Sequence, residues 1–327
     1  MLLALWASAL HADTIRIATY NTELSRRGPG LLLRDLERGA EDIDFVLGQM
    51  ADLGADIWVL QGVDYDADGL ALAKLAEKAG FEHAFAYAPN TGLRSGLDLD
   101  GDGRLGTPRD AQGYGRFSGE GAMAVLSRYP VLGEASRDFS ALIWAEFPWS
   151  TLPVHPDGSP FPSAEAQAVQ RLSSTGHWSI AINAPGGVLT LVTSYATPPV
   201  FDGPEDRNGL RNADELRLLA EIAKDLYGGF VMIGDFNLDP LAGQGDRDLM
   251  RDFLADPRWQ DPHPGLPTVD FGENSAGKLR VSYALPSVDL RLVDAGVAWS
   301  PAPASDGDVL FTRHRPVWVD VELDGGA

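Results

Sequence analysis

The chain has 327 residues, which suits one large α/β domain or two ordinary ones. Hydrophobic residues make up 44% of it, which is enough for a sizeable core and excludes a disordered composition. Asp and Glu number 47 against 26 Lys and Arg, and the resulting formal charge of −21 argues against a sequence-blind binder of duplex nucleic acid. The absence of cysteine excludes disulfides, thiolate catalysis and Cys-based zinc sites.

The first 12 residues, MLLALWASALHA, form an apolar stretch that ends on Ala12, directly before Asp13. The stretch is too short to cross a bilayer. It resembles the apolar core and cleavage region of a secretory signal, and it predicts a periplasmic or secreted protein. The alternative is an apolar first strand or a tail that packs on the core. No later stretch has the length and apolarity of a transmembrane helix.

Strands and helices alternate loosely along the rest of the chain. The predicted strands are TIRIATYNTEL, DIWVLQ, AMAVLSRYPV, VLTLVTSYA, FVMIGDFN, LRVSYALPS and RPVWVDVEL. The predicted helices are EDIDFVLGQMADL, which Gly54 ends, LALAKLAEKA, which Gly80 ends, and NADELRLLAEIAKDLYG, with Asn212 or Asp214 near its start. A Pro-rich segment over residues 147–167 predicts a long surface loop. This order predicts a layered α/β fold in a single domain over residues 13–327.

Polar residues cluster where the predicted strands end. They are Asn21 after the first strand, Gln61, Asp64 and Asp66 after the second, Tyr195, Asp235 and Asn237 after later ones, and His314 before the last. Any one of them alone is explained by a strand-end residue that bonds to a turn. Together they predict an active site at one edge of a sheet.

Six of these segments resemble the endonuclease/exonuclease/phosphatase superfamily, the fold of the DNase I-like enzymes. They are TYNTEL, ADIWVLQ, AVLSRYP, IGDFNLDP, RVSYALPS and RHRPVWVDV. Their order and spacing match the family over nearly the whole chain, and GDFN is the most specific piece. The resemblance implies a four-layer α/β sandwich in which two packed mixed β-sheets are flanked by helices.

The resemblance also implies metal-dependent hydrolysis of a phosphomonoester or phosphodiester. Asp235 would orient or deprotonate the attacking water, and Asn237 would hold the phosphoryl oxygens. His314 would stabilise the transition state, and Asn21 would help to place the metal or the phosphate. A hard divalent ion, Mg²⁺ or Mn²⁺, would sit among oxygen ligands. The acidic charge of the chain favours a small phosphoester over duplex DNA as the substrate.

The chain departs from the family pattern at four positions. Gly62 stands where the family has its metal-binding Glu, Arg313 and Ser282 stand where it has Asp, and Tyr195 stands where it has His. Asp64 and Asp66 follow Gly62 closely, and we expect them to replace the missing metal ligand. The alternative hypothesis is a non-catalytic, calcium-braced binding protein that keeps the fold but has lost its metal ligands.

Tyr195 is a candidate substrate contact, and three further side chains are candidates in addition to it. Arg207 and Arg211 lie in a loop that borders the active site in the family fold, where they would bind phosphate oxygens. The alternative is a solvated loop with the start of a helix. His177, in QRLSSTGHW, would contact a phosphate or a sugar, or else it is a satisfied histidine in a turn.

The segment DLDGDGRLGTPRD resembles the first half of an EF-hand calcium loop. Asp98, Asp100 and Asp102 occupy positions one, three and five, Gly103 occupies the sixth, and Arg104 would offer its carbonyl oxygen. The twelfth-position Glu is absent, and Asp110 would close the site in a longer loop. The expected role is a structural Ca²⁺ ion, and the alternative is an acidic turn.

Overall fold

The computed structural model describes residues 13–299 and 311–323. The expected signal segment, residues 1–12, lies outside the described residues. The described strands are β1 (Ile15–Asn21), β2 (Ile57–Val63), β3 (His83–Phe85), β4 (Ala122–Ser127), β5 (Arg137–Asp138), β6 (Gly176–Ala184), β7 (Gly187–Tyr195), β8 (Phe230–Asp235), β9 (Val269–Asp270), β10 (Lys278–Leu279), β11 (Ser282–Pro286), β12 (Arg291–Val297) and β13 (Val317–Glu322). The described helices are α1 (Leu31–Arg38), α2 (Glu41–Leu53), α3 (Leu70–Ala79), α4 (Ala164–Gln167), α5 (Arg207–Lys224) and α6 (Arg247–Leu254).

Two mixed sheets form the centre of the fold. One has six strands in the order β12-β13-β1-β2-β4-β3, and the other has five in the order β11-β8-β7-β6-β5. Each sheet contains one parallel pair, β1 with β2 and β7 with β8, while its other neighbours are antiparallel. Strands β9 and β10 form a separate two-stranded ribbon.

Alternation along the strands divides the apolar residues into three layers of core. Ile17 of β1 and Ile233 of β8 belong to the core between the two sheets. Tyr20 faces the other way, into the core that packs α1, α2 and α3 on the six-stranded sheet. Met232 likewise packs with α5 and α6 on the five-stranded sheet. The result is the expected four-layer sandwich, helices–sheet–sheet–helices.

Helix α5 differs most from its prediction. It begins at Arg207, so Asn212 and Asp214 lie inside the helix and are buried rather than forming its N-cap. Asp214 accepts hydrogen bonds from the indole of Trp144 (2.7 Å) and from the backbone and hydroxyl of Thr151. In the sequence, a buried acidic side chain inside a helix cannot be told from a polar residue at the helix surface or start. The predicted start of α5 at Asn212 is therefore later than the observed start at Arg207. No described helix has the length and apolarity to span a membrane.

Candidate active site

The inner faces of the two sheets carry polar residues where the parallel strands end. Asn21 shares a face with Ile17 in β1, and Asp235 shares a face with Ile233 in β8, because alternate residues of a strand point the same way. Tyr195 ends β7 directly beside Asp235. These three side chains therefore meet at one end of the gap between the sheets, as the sequence predicts.

Asp235 lies at the centre of this group and is fully buried. Its Oδ2 accepts a hydrogen bond from Nδ2 of Asn21 (2.8 Å), and its Oδ1 accepts one from the backbone N–H of Asn237 (3.2 Å). Burial raises the pKa of the Asp235 carboxyl, although the nearby imidazole of His314 opposes that shift. The carboxylate is therefore held in one orientation and is a stronger base than an exposed Asp.

His314 approaches Asp235 from the segment before β13. Its Nδ1 lies 3.6 Å from Oδ2 of Asp235, which is longer than a hydrogen bond, and this buried nitrogen has no hydrogen-bond partner among the residues that the structure describes. Burial lowers the pKa of His314, while Asp235 acts in the opposite direction. Catalytic hydrogen bonds are often long before the substrate binds, so this spacing suits a pair that tightens on binding.

Asn237 stands beside the pair in a left-handed backbone conformation, with φ of 53°. Its Nδ2 donates to the carbonyl of Ala196 (2.9 Å), which ties the GDFN turn to the end of β7. Asn21, Asn237, Tyr195 and His314 all line one cleft. The structure thus brings together all four sequence-predicted catalytic residues.

The departures from the family pattern also lie at this end of the sheets. Tyr195 accepts a hydrogen bond at its hydroxyl from Asn21 (3.2 Å), and burial raises its pKa. Ser282 pairs with Asp235 in the ladder of β11 and β8, and its buried hydroxyl has no hydrogen-bond partner within the described part of the chain. Gly62 has φ of 73°, and a Cβ there would lie 2.9 Å from both Oδ1 of Asn21 and the backbone N of Glu23. A Glu at position 62 therefore does not fit this backbone.

Sequence reasoning missed Glu23, two residues beyond Asn21. It has φ of 51°, lines the cleft and binds Arg313 through both the backbone and the side chain of that arginine. Non-glycine residues at positive φ concentrate at functional sites. The positive φ of Glu23 is a property of the folded backbone, so no sequence pattern identifies Glu23 as a site residue.

Asp64 and Asp66 do not supply the expected metal ligand. Asp64 is buried and accepts hydrogen bonds from the backbone N–H groups of Arg26 (2.8 Å) and Gly121 (2.9 Å), and burial raises its pKa to about 6. Both oxygens of Asp66 accept N–H groups at the start of α3, from Leu70 and Ala71 (both 2.8 Å). Neither side chain lines the cleft of Asp235, so both fix loop structure instead.

Three expected substrate contacts are also held inside the fold. Arg211 is buried and donates to four carbonyl oxygens, those of Gln112, Arg171, Leu172 and Ser173. The ring of His177 lies between the hydroxyl of Ser173 (2.7 Å) and the carbonyl of Glu215 (3.0 Å), and burial lowers its pKa to about 4.

Arg207, the third of these contacts, donates to the carbonyl of Leu99. This contact joins the start of α5 to the predicted calcium loop. None of the three side chains lines the cleft, and only Tyr195 of the four expected substrate contacts does.

In the DLDGDG segment, Asp98, Asp100 and Asp102 each place one carboxylate oxygen within 4.8 Å of the others. The Asp100 side chain is 7% exposed, and its Oδ2 has no hydrogen-bond partner in residues 13–299 and 311–323, although Arg109 lies 3.6 Å away. Arg104 donates its backbone N–H to Asp102 (2.8 Å). Asp110 does not join the group, because its two oxygens accept the N–H groups of Leu99 and Thr107.

The donors at the cleft do not fit the Mg²⁺ or Mn²⁺ ion that the resemblance implies. Glu23 and Asp239 are the carboxylates that line the cleft; Arg313 binds the first, and the N–H groups of Leu241, Ala242 and Arg280 bind the second. The buried Asp235 behind them is bound by two amides. Among residues 13–299 and 311–323, the group at Asp98 is the one set of three acidic or His side chains close enough to share an ion. A guanidinium bonded to Glu23 also repels a second cation there.

The walls of the cleft are largely apolar. Pro198, Pro199, Val200, Phe201 and Phe271 are among the residues that line it. Phe201 is 79% exposed and has φ of 71°, a conformation that a bulky side chain adopts only under strain.

Comparison with known proteins agrees with this architecture. A model of the Endonuclease/Exonuclease/phosphatase family matches residues 18–306. An endonuclease/exonuclease/phosphatase from Beutenbergia cavernae superposes with a TM-score of 0.59 at 18% identity, over 96% of this chain and 72% of its own. Sphingomyelinase C from Streptomyces griseocarneus gives 0.54 at 16%, and the 3′ phosphatase NExo from Neisseria gives 0.52 at 18%; each alignment covers 94% of this chain and 99% of the other. No curated protein matches by sequence. The chain belongs to the endonuclease/exonuclease/phosphatase family.

Proposed function

We propose that the chain hydrolyses a small phosphoester in the cleft of Asp235. Members of its family are generally hydrolases of phosphoester bonds, and they commonly use divalent ions such as Mg²⁺. The observation that carries the proposal is the convergence of Asn21, Asp235 and His314 from three separate segments. A buried carboxylate beside an imidazole is a costly arrangement, and such pairs concentrate at catalytic sites.

In this proposal the oxygen of a water attacks phosphorus in line with the ester oxygen that leaves. The O–P bond forms as the P–O bond to the leaving group breaks, and Asp235 accepts the proton of the water. Asn237 donates to a phosphoryl oxygen, and His314 stabilises the developing charge through a charge-assisted hydrogen bond. Asn21 holds the Asp235 carboxylate in position, and the hydroxyl of Tyr195 accepts a second hydrogen bond from the Asn21 amide. No step is assigned to a metal ion, since the donors at the cleft do not fit one.

The walls of the cleft support a substrate that carries an apolar group rather than a polynucleotide. Apolar side chains such as Val200, Phe201 and Phe271 line the cleft, and Arg313 is the single Arg or Lys among the described residues that do. A nucleic-acid groove needs several cations to neutralise successive phosphates.

The test is a panel of p-nitrophenyl esters, both mono- and diester, assayed with Mg²⁺, with Mn²⁺ and with EDTA. The proposal predicts turnover of at least one ester above the rate in buffer. Ligand binding without turnover of any ester would favour the alternative, a binding protein that keeps the fold without the chemistry.

We also propose that Asp98, Asp100 and Asp102 bind a structural Ca²⁺ ion together with the carbonyl of Arg104. The close approach of the three carboxylates and the unpaired Oδ2 of Asp100 support this proposal. Export, which the N-terminal residues predict, would expose the protein to millimolar calcium.

A further inference from the structure

Glu23 and Arg313 form a rigid ion pair at the mouth of the cleft. The backbone N–H of Arg313 donates to Oε2 of Glu23 (2.7 Å), its Nε donates to Oε1 (2.9 Å), and its Nη2 also contacts Oε1. The guanidinium lies over the ring of Phe271, with 5.1 Å from Cζ to the ring centroid. The ring of Phe271 also packs edge-on against His314, so one aromatic side chain positions both basic groups. These contacts fix the guanidinium next to the buried Asp235–His314 pair.

The free edge of this guanidinium is available to a ligand. Glu23 binds Nε and Nη2, whereas Nη1 has no hydrogen-bond partner among the described residues. The Arg313 side chain is 58% exposed and lines the cleft. A guanidinium with an open edge is a good donor to phosphoryl oxygens because its N–H groups match their geometry.

We propose that Arg313 binds the phosphoryl oxygens of the substrate in place of a divalent ion, and that the substrate is therefore a singly charged phosphodiester. This inference rests on the proposed hydrolysis and names its substrate class. The Glu23–Arg313 pair lies in the cleft whose donors do not fit a metal ion. Arg313 carries the one permanent positive charge among the described residues that line this cleft.

The charge balance of the cleft favours a diester over a monoester. Glu23 neutralises Arg313. When the His314 imidazole is neutral, two carboxylates remain: Asp239, which lines the cleft, and the buried Asp235, which is bonded to Asn21 of the lining. Asp239 accepts N–H groups from Leu241, Ala242 and Arg280, which disperse its charge without removing it. A phosphomonoester carries about two negative charges at neutral pH, so these carboxylates repel it more than they repel a diester with one charge.

The test is calorimetric titration of diphenyl phosphate, a singly charged diester, in EDTA. We expect binding to the wild type that weakens at least tenfold in Arg313→Gln and recovers in part in Arg313→Lys. Arg128→Gln, which removes an arginine that is 54% exposed, pairs with Asp56 and does not line the cleft, is the matched control and binds as the wild type does. Equal affinity of Arg313→Gln and wild type, or binding that appears only with added Mg²⁺, would overturn the inference.

A second comparison needs no variant. Phenyl phosphate, which is doubly charged at pH 8, is expected to bind the wild type at least tenfold more weakly than diphenyl phosphate in EDTA. Equal or tighter binding of the monoester contradicts the inference. If diphenyl phosphate binds as expected and no ester is turned over, the proposed hydrolysis fails and this site stands. If turnover requires Mg²⁺ and is unaffected by Arg313→Gln, the hydrolysis stands and this inference fails.

Discussion

The side chain of Asn21 at the end of β1 donates a hydrogen bond of 2.8 Å to the carboxylate of Asp235 at the end of β8. This bond joins the two sheets of the sandwich at the point where their parallel pairs end. It also fixes a buried carboxylate whose pKa is raised by burial, and Nδ1 of His314 lies 3.6 Å from the same carboxylate oxygen. The packing of the two sheets thereby places a base and an imidazole next to each other.

The pH dependence of kcat/KM follows from this pair. Asp235 acts as the base when deprotonated, so activity rises as pH passes its raised pKa. His314 acts when protonated, so activity falls as pH passes its lowered pKa. We therefore predict a bell-shaped pH profile of kcat/KM with an acidic optimum. Its acidic limb lies above the ordinary Asp pKa of about 3.9, and its alkaline limb lies below the ordinary His pKa of about 6.5.

The measurement is kcat/KM for a diester, whose charge is constant from pH 4 to 9. His314→Gln should lower the rate and remove the alkaline limb. A profile that keeps rising beyond pH 8 contradicts the role of a protonated His314.

Phe201 offers a prediction in which binding and stability move in opposite directions. Phe201→Gly removes an exposed aromatic wall and is expected to raise KM roughly tenfold. It also relieves a bulky residue at φ of 71°, which should stabilise the fold by about 1 kcal/mol. Tyr227→Ala, which truncates an aromatic side chain that is 96% exposed and outside the cleft, is the control. An unchanged KM in Phe201→Gly would show that the wall does not touch substrate.

Calcium should raise the melting temperature through the Asp98 group. A ligand at a hundred times its dissociation constant stabilises the fold by about 2.7 kcal/mol, so EGTA should lower the midpoint by several degrees. Asp102→Asn should reduce that difference. Asp157→Asn alters an exposed acidic turn that bonds to Ser159 and should leave it unchanged. An unfolding midpoint that is the same with calcium and with EGTA would contradict calcium binding and indicate that residues 98–110 form an acidic turn.

Arg211 is expected to act on stability rather than on substrate affinity. Arg211→Met removes the donor of the Gln112, Arg171 and Leu172 carbonyl oxygens, while that of Ser173 keeps Asn90, and the change should cost about 3 kcal/mol or more. Urea denaturation measures the loss, and KM of the folded fraction should stay the same. A raised KM with unchanged stability would restore Arg211 as a substrate contact.

The strands and their polar ends were predictable because both follow from local pattern. Alternating, β-branched or apolar runs that stop at Asn21, Tyr195 and Asp235 predict strands with polar ends, and the structure has strands that end at these three residues. The four-layer sandwich was likewise correct, although it came from the resemblance rather than from periodicity.

The loop carboxylates were not predictable in the same way. Asp64 and Asp66 are of the type and spacing that suit a metal, but backbone N–H groups already occupy their oxygens. Glu23 reaches the cleft because its backbone adopts a left-handed conformation against Gly62. Whether a loop carboxylate bonds to nearby backbone N–H groups or reaches a distant site depends on tertiary packing, and a single sequence does not reveal that packing.

The most direct test of the proposed catalytic site is kcat/KM of Asp235→Asn on the ester that the wild type turns over best. This variant keeps the shape of the side chain but removes the base, so we expect a loss of roughly 10²- to 10⁴-fold with the fold intact. Asp66→Asn, which alters the carboxylate at the start of α3 instead, should cost about 1 kcal/mol of stability and leave the rate unchanged. A folded Asp235→Asn protein as active as the wild type would contradict the account.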